Sequence, residues 1–128
     1  MKIDNIPLRA PKNKKQYLSF NMNHFRSNHF HVNNKMKVYM HNIIKGKCFQ
    51  KTAPEPPLQL IYTLYRKDKR KIDLANVLSI IDKFVSDGLV EAGMISDDNV
   101  NIIQQVIFRD GGIDRLNPRC DLEILRMI

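Results

Sequence analysis

The sequence predicts one α/β domain spanning residues 1–128, with a mixed β-sheet and two main helices. Three observations lead there. Leu58, Leu60, Tyr62 and Leu64 alternate with Gln59, Ile61, Thr63 and Tyr65, which is strand periodicity with apolar groups on both faces, as in a central strand. Leu74, Val77, Leu78, Ile81, Phe84, Val85 and Leu89 form a stripe of about 140° on a helical wheel, the pattern of an amphipathic helix. Beyond that helix, 100–108 and 120–125 again have strand composition. A chain of 128 residues can bury one core but not two.

Taken in order, residues 1–15 read as a basic, flexible leader, and Gln16–Phe20 as a short strand. The segment NMNHFRSNHFHVNN is too polar and too rich in Asn and His for a core element and reads as a loop. From a cap at Asn33 or Asn34, the recurrence of Met36, Val38, Tyr39, Ile43 and Ile44 predicts a helix over 34–46. The prolines of APEPP at 53–57 force an extended approach to the strand at 58–66. Asp73 caps the second helix and Gly93 stops it. Gly111 and Gly112 then open a connection through Asn117-Pro118 to 120–125, a partner strand for 100–108.

Charge is unevenly distributed. Residues 1–71 hold 16 Lys or Arg against 3 Asp or Glu, whereas 72–128 hold 5 against 10. The net charge of +8 and pI near 9.7 favour a polyanionic partner, nucleic acid or an anionic membrane, with plain solubility as the alternative. No apolar run approaches the roughly 20 residues of a membrane span, and the N-terminus lacks the apolar core of a signal peptide, so a cytoplasmic protein is expected. Cys48 and Cys120 are isolated and read as free thiols.

The chemistry-bearing residues gather around the second helix. Asp73, Asn76, Ile80, Lys83 and Asp87 fall within an arc of about 80°, with Ala75 and Asp82 on the far side. Asp97 and Asp98 follow in the next loop. Magnesium prefers oxygen ligands, and phosphodiester cleavage needs only a few carboxylates from different elements, so Asp73 with Asp97 or Asp98 suits a metal-dependent enzyme acting on a polyanion. Lys83 is placed to steady charge on an attacked phosphate. The same residues also admit a structural reading: a capping Asp73, a solvated helix face and a turn-forming Asp-Asp-Asn.

The pattern resembles the RusA family of Holliday-junction resolvases, small phage and bacterial endonucleases. The matching residues are the basic run Lys69, Arg70 and Lys71, then Asp73, Leu74 and Asn76, then Asp87, Gly88 and Leu89, then Gly93, Asp97 and Asp98, with a looser match over 18–35. Two departures stand out. Ala75 stands where the family has a second Asp, and the stretch from Asn76 to Asp87 is four residues longer, about one helical turn. The family lysine maps to Ser79 counted from Asp73 and to Lys83 counted back from Asp87; Lys83 shares the arc of both carboxylates. The resemblance implies a RusA-like fold and a cytoplasmic homodimer in a bacterial or phage-infected cell. It implies Mg²⁺-dependent cleavage of branched DNA, the four-way junction, with Mn²⁺ able to substitute. Asp73, Lys83 and Asp98 would be catalytic, and Asp73, Asp87, Asp97 and Asp98 would bind metal. Lys69, Arg70, Lys71 and Arg26 would contact the DNA backbone. Ala75 also supports an alternative, a junction- or duplex-binding protein with impaired cleavage.

The histidines His24, His29 and His31 share one segment without zinc-site spacing and read as solvent or phosphate contacts. Arg26, between Phe25 and Phe30, reads as a backbone or stacking contact. Tyr62 reads as core.

Overall fold

In the computed structural model, which describes residues 1–128, helices cover one face of a four-stranded mixed sheet. The elements are β1 (Lys2–Ile6), β2 (Arg9–Pro11), β3 (Tyr17–Ser19), α1 (Met22–Ser27), α2 (Phe30–Lys47), β4 (Leu58–Arg66), α3 (Leu74–Glu91), β5 (Ile103–Ile113) and β6 (Arg119–Arg126). The sheet order is β1-β6-β4-β5, with β4 parallel to β5 and antiparallel to β6. β2 and β3 form a separate antiparallel hairpin. A parallel pair needs a long crossover, which α3 supplies. No helix is long and apolar enough to cross a membrane.

The predicted alternation of β4 holds: Leu58, Leu60, Tyr62 and Leu64 are buried toward the helices, where they meet Leu122 and Ile124 of β6. Helix α3 buries Val77, Leu78, Ile81, Phe84, Val85 and Leu89, and packs on α2 through Met40 and Ile44. The two helices touch closely at Gly88, where a Cβ would lie 3.3 Å from the Ile44 Cβ and 3.5 Å from the His41 ring. Cys48 and Cys120 are buried free thiols.

Four sequence expectations are corrected. The basic leader is structured: β1 pairs with β6, and Ile3 and Ile6 are fully buried. Three residues apart, both reach the core because Asn5 takes a left-handed conformation (φ 58°) and the register shifts between them. The Asn- and His-rich segment is largely helical. Asn21 caps α1 by accepting from the His24 amide at 2.8 Å, and Asn33 donates to the Phe25 carbonyl at 2.9 Å, so these side chains replace backbone partners at helix ends. The first long helix therefore starts at Phe30, not 34.

The other two corrections concern the C-terminal strands. β6 does not pair with β5; β4 lies between them. Gly111 and Gly112 belong to β5, where a Cβ on Gly111 would come within 2.7 Å of the Tyr65 ring and Gly112 adopts φ 95° at a register shift. Because β1 is part of the core, Ile3→Ala should cost about 2–5 kcal/mol in urea unfolding; a loose leader would lose less than about 0.5 kcal/mol.

Candidate functional site

Helix α3 sets the site. Asp73 caps it, accepting from the Ala75 amide at 3.0 Å, and the chain leaves through Ala92 and a left-handed Gly93 (φ 75°). Ile95, buried against the core, anchors the loop that follows. There the Asp97 carboxylate accepts from the Asp98 amide at 2.7 Å and from the Asn99 amide group at 3.0 Å. The Asp98 amide, followed by the other donors, holds the Asp97 carboxyl below the usual range. Asp97 thus shapes the turn, and Asp98 is exposed beside it.

Asp82, placed by the sequence on the far side of the helix, emerges as the central carboxylate. Its Oδ1 accepts from the Tyr62 hydroxyl at 2.8 Å and from the Ser86 hydroxyl at 2.9 Å, leaving Oδ2 without a protein partner. Tyr62 is fully buried on β4, and burial, reinforced by the Asp82 charge, drives its phenol well above the ordinary value. Burial also raises the Asp82 carboxyl; the Tyr62 and Ser86 bonds oppose this, and the neighbouring charges of Asp98 and Asp87 add to it. Asp82 and Asp87 lie about 140° apart around α3, one on each margin of its polar strip. The sequence signal for Asp82 is its line with Ser79 and Ser86, within about 60° on the wheel. Its partner Tyr62 is distant in the chain and gave no signal.

The predicted ligand set does not gather around one point. Asp73 is exposed at the helix start, 14 residues or about 21 Å along the axis from Asp87, so one ion cannot take both. Ile80, assigned to the polar arc, is 1% exposed and belongs to the packed side. Lys83 is exposed, 5.9 Å over the Phe25 ring, and lines a cavity of about 360 Å³ with Asp87, Lys37, His31 and Asn34. Asp82, Asp87 and Asp98 form the carboxylate neighbourhood, but no three His, Cys, Asp or Glu side chains lie close enough to hold a metal ion among themselves.

The basic residues occupy other places. Arg26 is exposed on α1, whose Phe25 packs edge-on against Phe84 at 5.9 Å. Lys69, Arg70 and Lys71 are exposed in the turn before α3, where Arg70 pairs with Asp68 at 3.7 Å. His24, His29 and His31 are exposed, whereas His41 is buried with Nδ1 against the Glu91 carboxylate. No known protein family matches the chain, and no curated protein matches it either.

The raised Asp82 carboxyl has a consequence for stability. A carboxyl whose folded pKa exceeds its unfolded value contributes stability below the unfolded value, about 3.9, and loses it as pH rises through the folded value. Asp82→Asn retains an oxygen acceptor for Tyr62 and Ser86 without the charge. Its melting temperature relative to the parent should therefore be more favourable at pH 7 than at pH 3.5; thermal unfolding at both values checks this.

Proposed function

We propose that the protein is a divalent-cation-dependent endonuclease acting on branched DNA, RusA-like in kind and working as a homodimer on four-way junctions. The observation that carries this reading is Asp82, half-buried on α3 with one oxygen fixed by Tyr62 and Ser86 and the other without a protein partner, and feeling the charges of Asp87 on the same helix and of Asp98 from the following loop. The donor chemistry fits a hard cation. Asp82 has a free Oδ2 and an Oδ1 fixed by Tyr62 and Ser86, the kind of outer hydrogen bonding that orients a metal-ligating carboxylate. Magnesium commonly binds through one or two carboxylates and completes its shell with water and substrate phosphate, so a three-carboxylate cage is not required.

In this reading Asp82 and Asp98 would hold the cation, with Asp87 adding negative charge that Asp82 feels. Lys83, exposed on the same polar strip of α3, would steady charge on the phosphate. Bound Mg²⁺ supplies an activated water and neutralises phosphate charge. Tyr62 keeps Asp82 oriented, and Asp97 keeps the loop folded so that Asp98 points outward. Asp73 acts as the cap that fixes the start of α3. Cutting both strands of a junction symmetrically needs two equivalent sites, which a two-fold dimer provides. Ala75 favours the second reading, a branched-DNA-binding protein without cleavage, because it stands where the resembled pattern has a second Asp.

Incubating the protein with a labelled four-way junction and Mg²⁺, Mn²⁺ or Ca²⁺ separates the two. Cleavage is expected with Mg²⁺ and Mn²⁺ and not with Ca²⁺; tight binding without cleavage in any of them selects the second reading. Asp82→Asn and Asp98→Asn should abolish cutting while preserving binding, and Tyr62→Phe should lower activity about 10- to 100-fold. Asp73→Ser, which keeps a capping oxygen but loses the carboxylate, should cut at close to the parental rate. A dead Asp73→Ser variant with normal folding would return Asp73 to the ligand set.

A further inference from the structure

The β2–β3 hairpin, residues 9–19, carries Arg9, Lys12, Lys14 and Lys15 and no acidic residue. None of these cations is paired with a carboxylate, in contrast to Arg66, Arg119 and Arg126 elsewhere. The hairpin is firmly rooted: Ala10 and Phe20 are buried in the core, and the Phe20 amide donates to the Leu8 carbonyl at 3.0 Å. Its tip is a built turn. The Asn13 side chain accepts from the Lys15 and Gln16 amides at 2.9 and 3.0 Å and donates to the Gln16 side chain at 3.0 Å. That folding presents the three lysines to solvent on a fixed frame. Arg9 lies 4.1 Å over the ring of Tyr17, which is 55% exposed.

Beneath the hairpin, a cavity of about 530 Å³ is bordered by Arg9, Tyr17, Lys67 and Arg115. A second cavity, of about 320 Å³, shares Leu8 and Lys67 with it and continues to Arg70 and Lys71 at the head of α3. The hairpin, the β5–β6 connection and the turn before α3 thus border two adjoining cavities rich in cations, in which Asp68, paired with Arg70, is the single carboxylate. A solvated charge run would need neither the braced turn nor the convergence of cations from three separate segments.

We infer that the β2–β3 hairpin is a DNA-gripping arm that lies along the backbone of a duplex and continues the basic surface of Lys67–Lys71. A two-stranded ribbon is narrow enough to follow or enter a major groove about 12 Å wide, and unpaired lysines neutralise phosphates without reading sequence. The inference rests on the DNA-binding part of the proposed function and is independent of cleavage.

The test is the salt dependence of binding to a fluorescent duplex and a four-way junction, without divalent metal. Lys14→Ala/Lys15→Ala should flatten the slope of log affinity against log salt by about 0.9 for each phosphate that is no longer neutralised. Lys45→Ala/Lys47→Ala, an equal charge change at the far end of α2, should leave the slope unchanged. Lys14→Arg/Lys15→Arg should behave as the parent. An unchanged slope in the hairpin variant, or an equal change in both Ala variants, overturns the arm. A flatter slope confined to the hairpin variant, in a protein that never cleaves, supports the arm while removing the nuclease reading. Cleavage by the parent with an unaltered hairpin slope does the reverse, and a parent that binds no DNA overturns both.

Discussion

The packing of α3 constrains everything else about the site. The helix is buried by β4 on one side and by α1 and α2 on the other, so its polar groups emerge only through a narrow strip. Lys83 is exposed within that strip, with Asp82 and Asp87 half-buried at its margins. This confinement lets a mid-helix aspartate lean onto the buried Tyr62 rather than into solvent. It also leaves Asp73, at the far end of the helix, with the separate task of capping.

Asp82 illustrates how the core and the site are coupled. A half-buried carboxylate is costly unless hydrogen-bonded, and the Tyr62 and Ser86 hydroxyls meet that need at one oxygen. Tyr62 in turn sits on the central strand and packs edge-on against Phe108 of β5 at 6.1 Å. The orientation of Asp82 is therefore fixed by the middle of the sheet. The cationic surfaces lie elsewhere, on the β2–β3 hairpin and the turn before α3, apart from the Asp82 carboxylate.

The sequence made α3 and β4 legible because each obeys its period over many residues, and packing follows period where one face is buried. It hid β1, where a left-handed Asn5 breaks the alternation that would have revealed a strand. It hid α1 and the start of α2 because Asn21 and His29 cap the two helices and Asn33 meets a carbonyl of α1, whereas composition alone suggests a loop. The inserted position of β4 between β5 and β6 is a matter of long-range pairing, which no local pattern carries. Around α3, the exposure of Lys83 and the half-burial of Asp87 on its polar strip were legible from the helical wheel. Asp82 was not: the wheel separates it from the arc, and its value depends on a tyrosine 20 residues earlier in the chain.

The proposed cation site at Asp82 and Asp98, with Asp87 adding charge to Asp82, stands or falls on where a divalent ion binds. Paramagnetic broadening by Mn²⁺ tests it most directly: backbone amide resonances of the isotopically labelled protein are recorded as substoichiometric Mn²⁺ is added. The account predicts loss of signal centred on Asp82, Asp87 and Asp98, with the amides around Asp73 largely spared at the distance set by α3. Broadening centred on Asp73, or spread evenly over exposed carboxylates with no focus on Asp82 and Asp98, would contradict it.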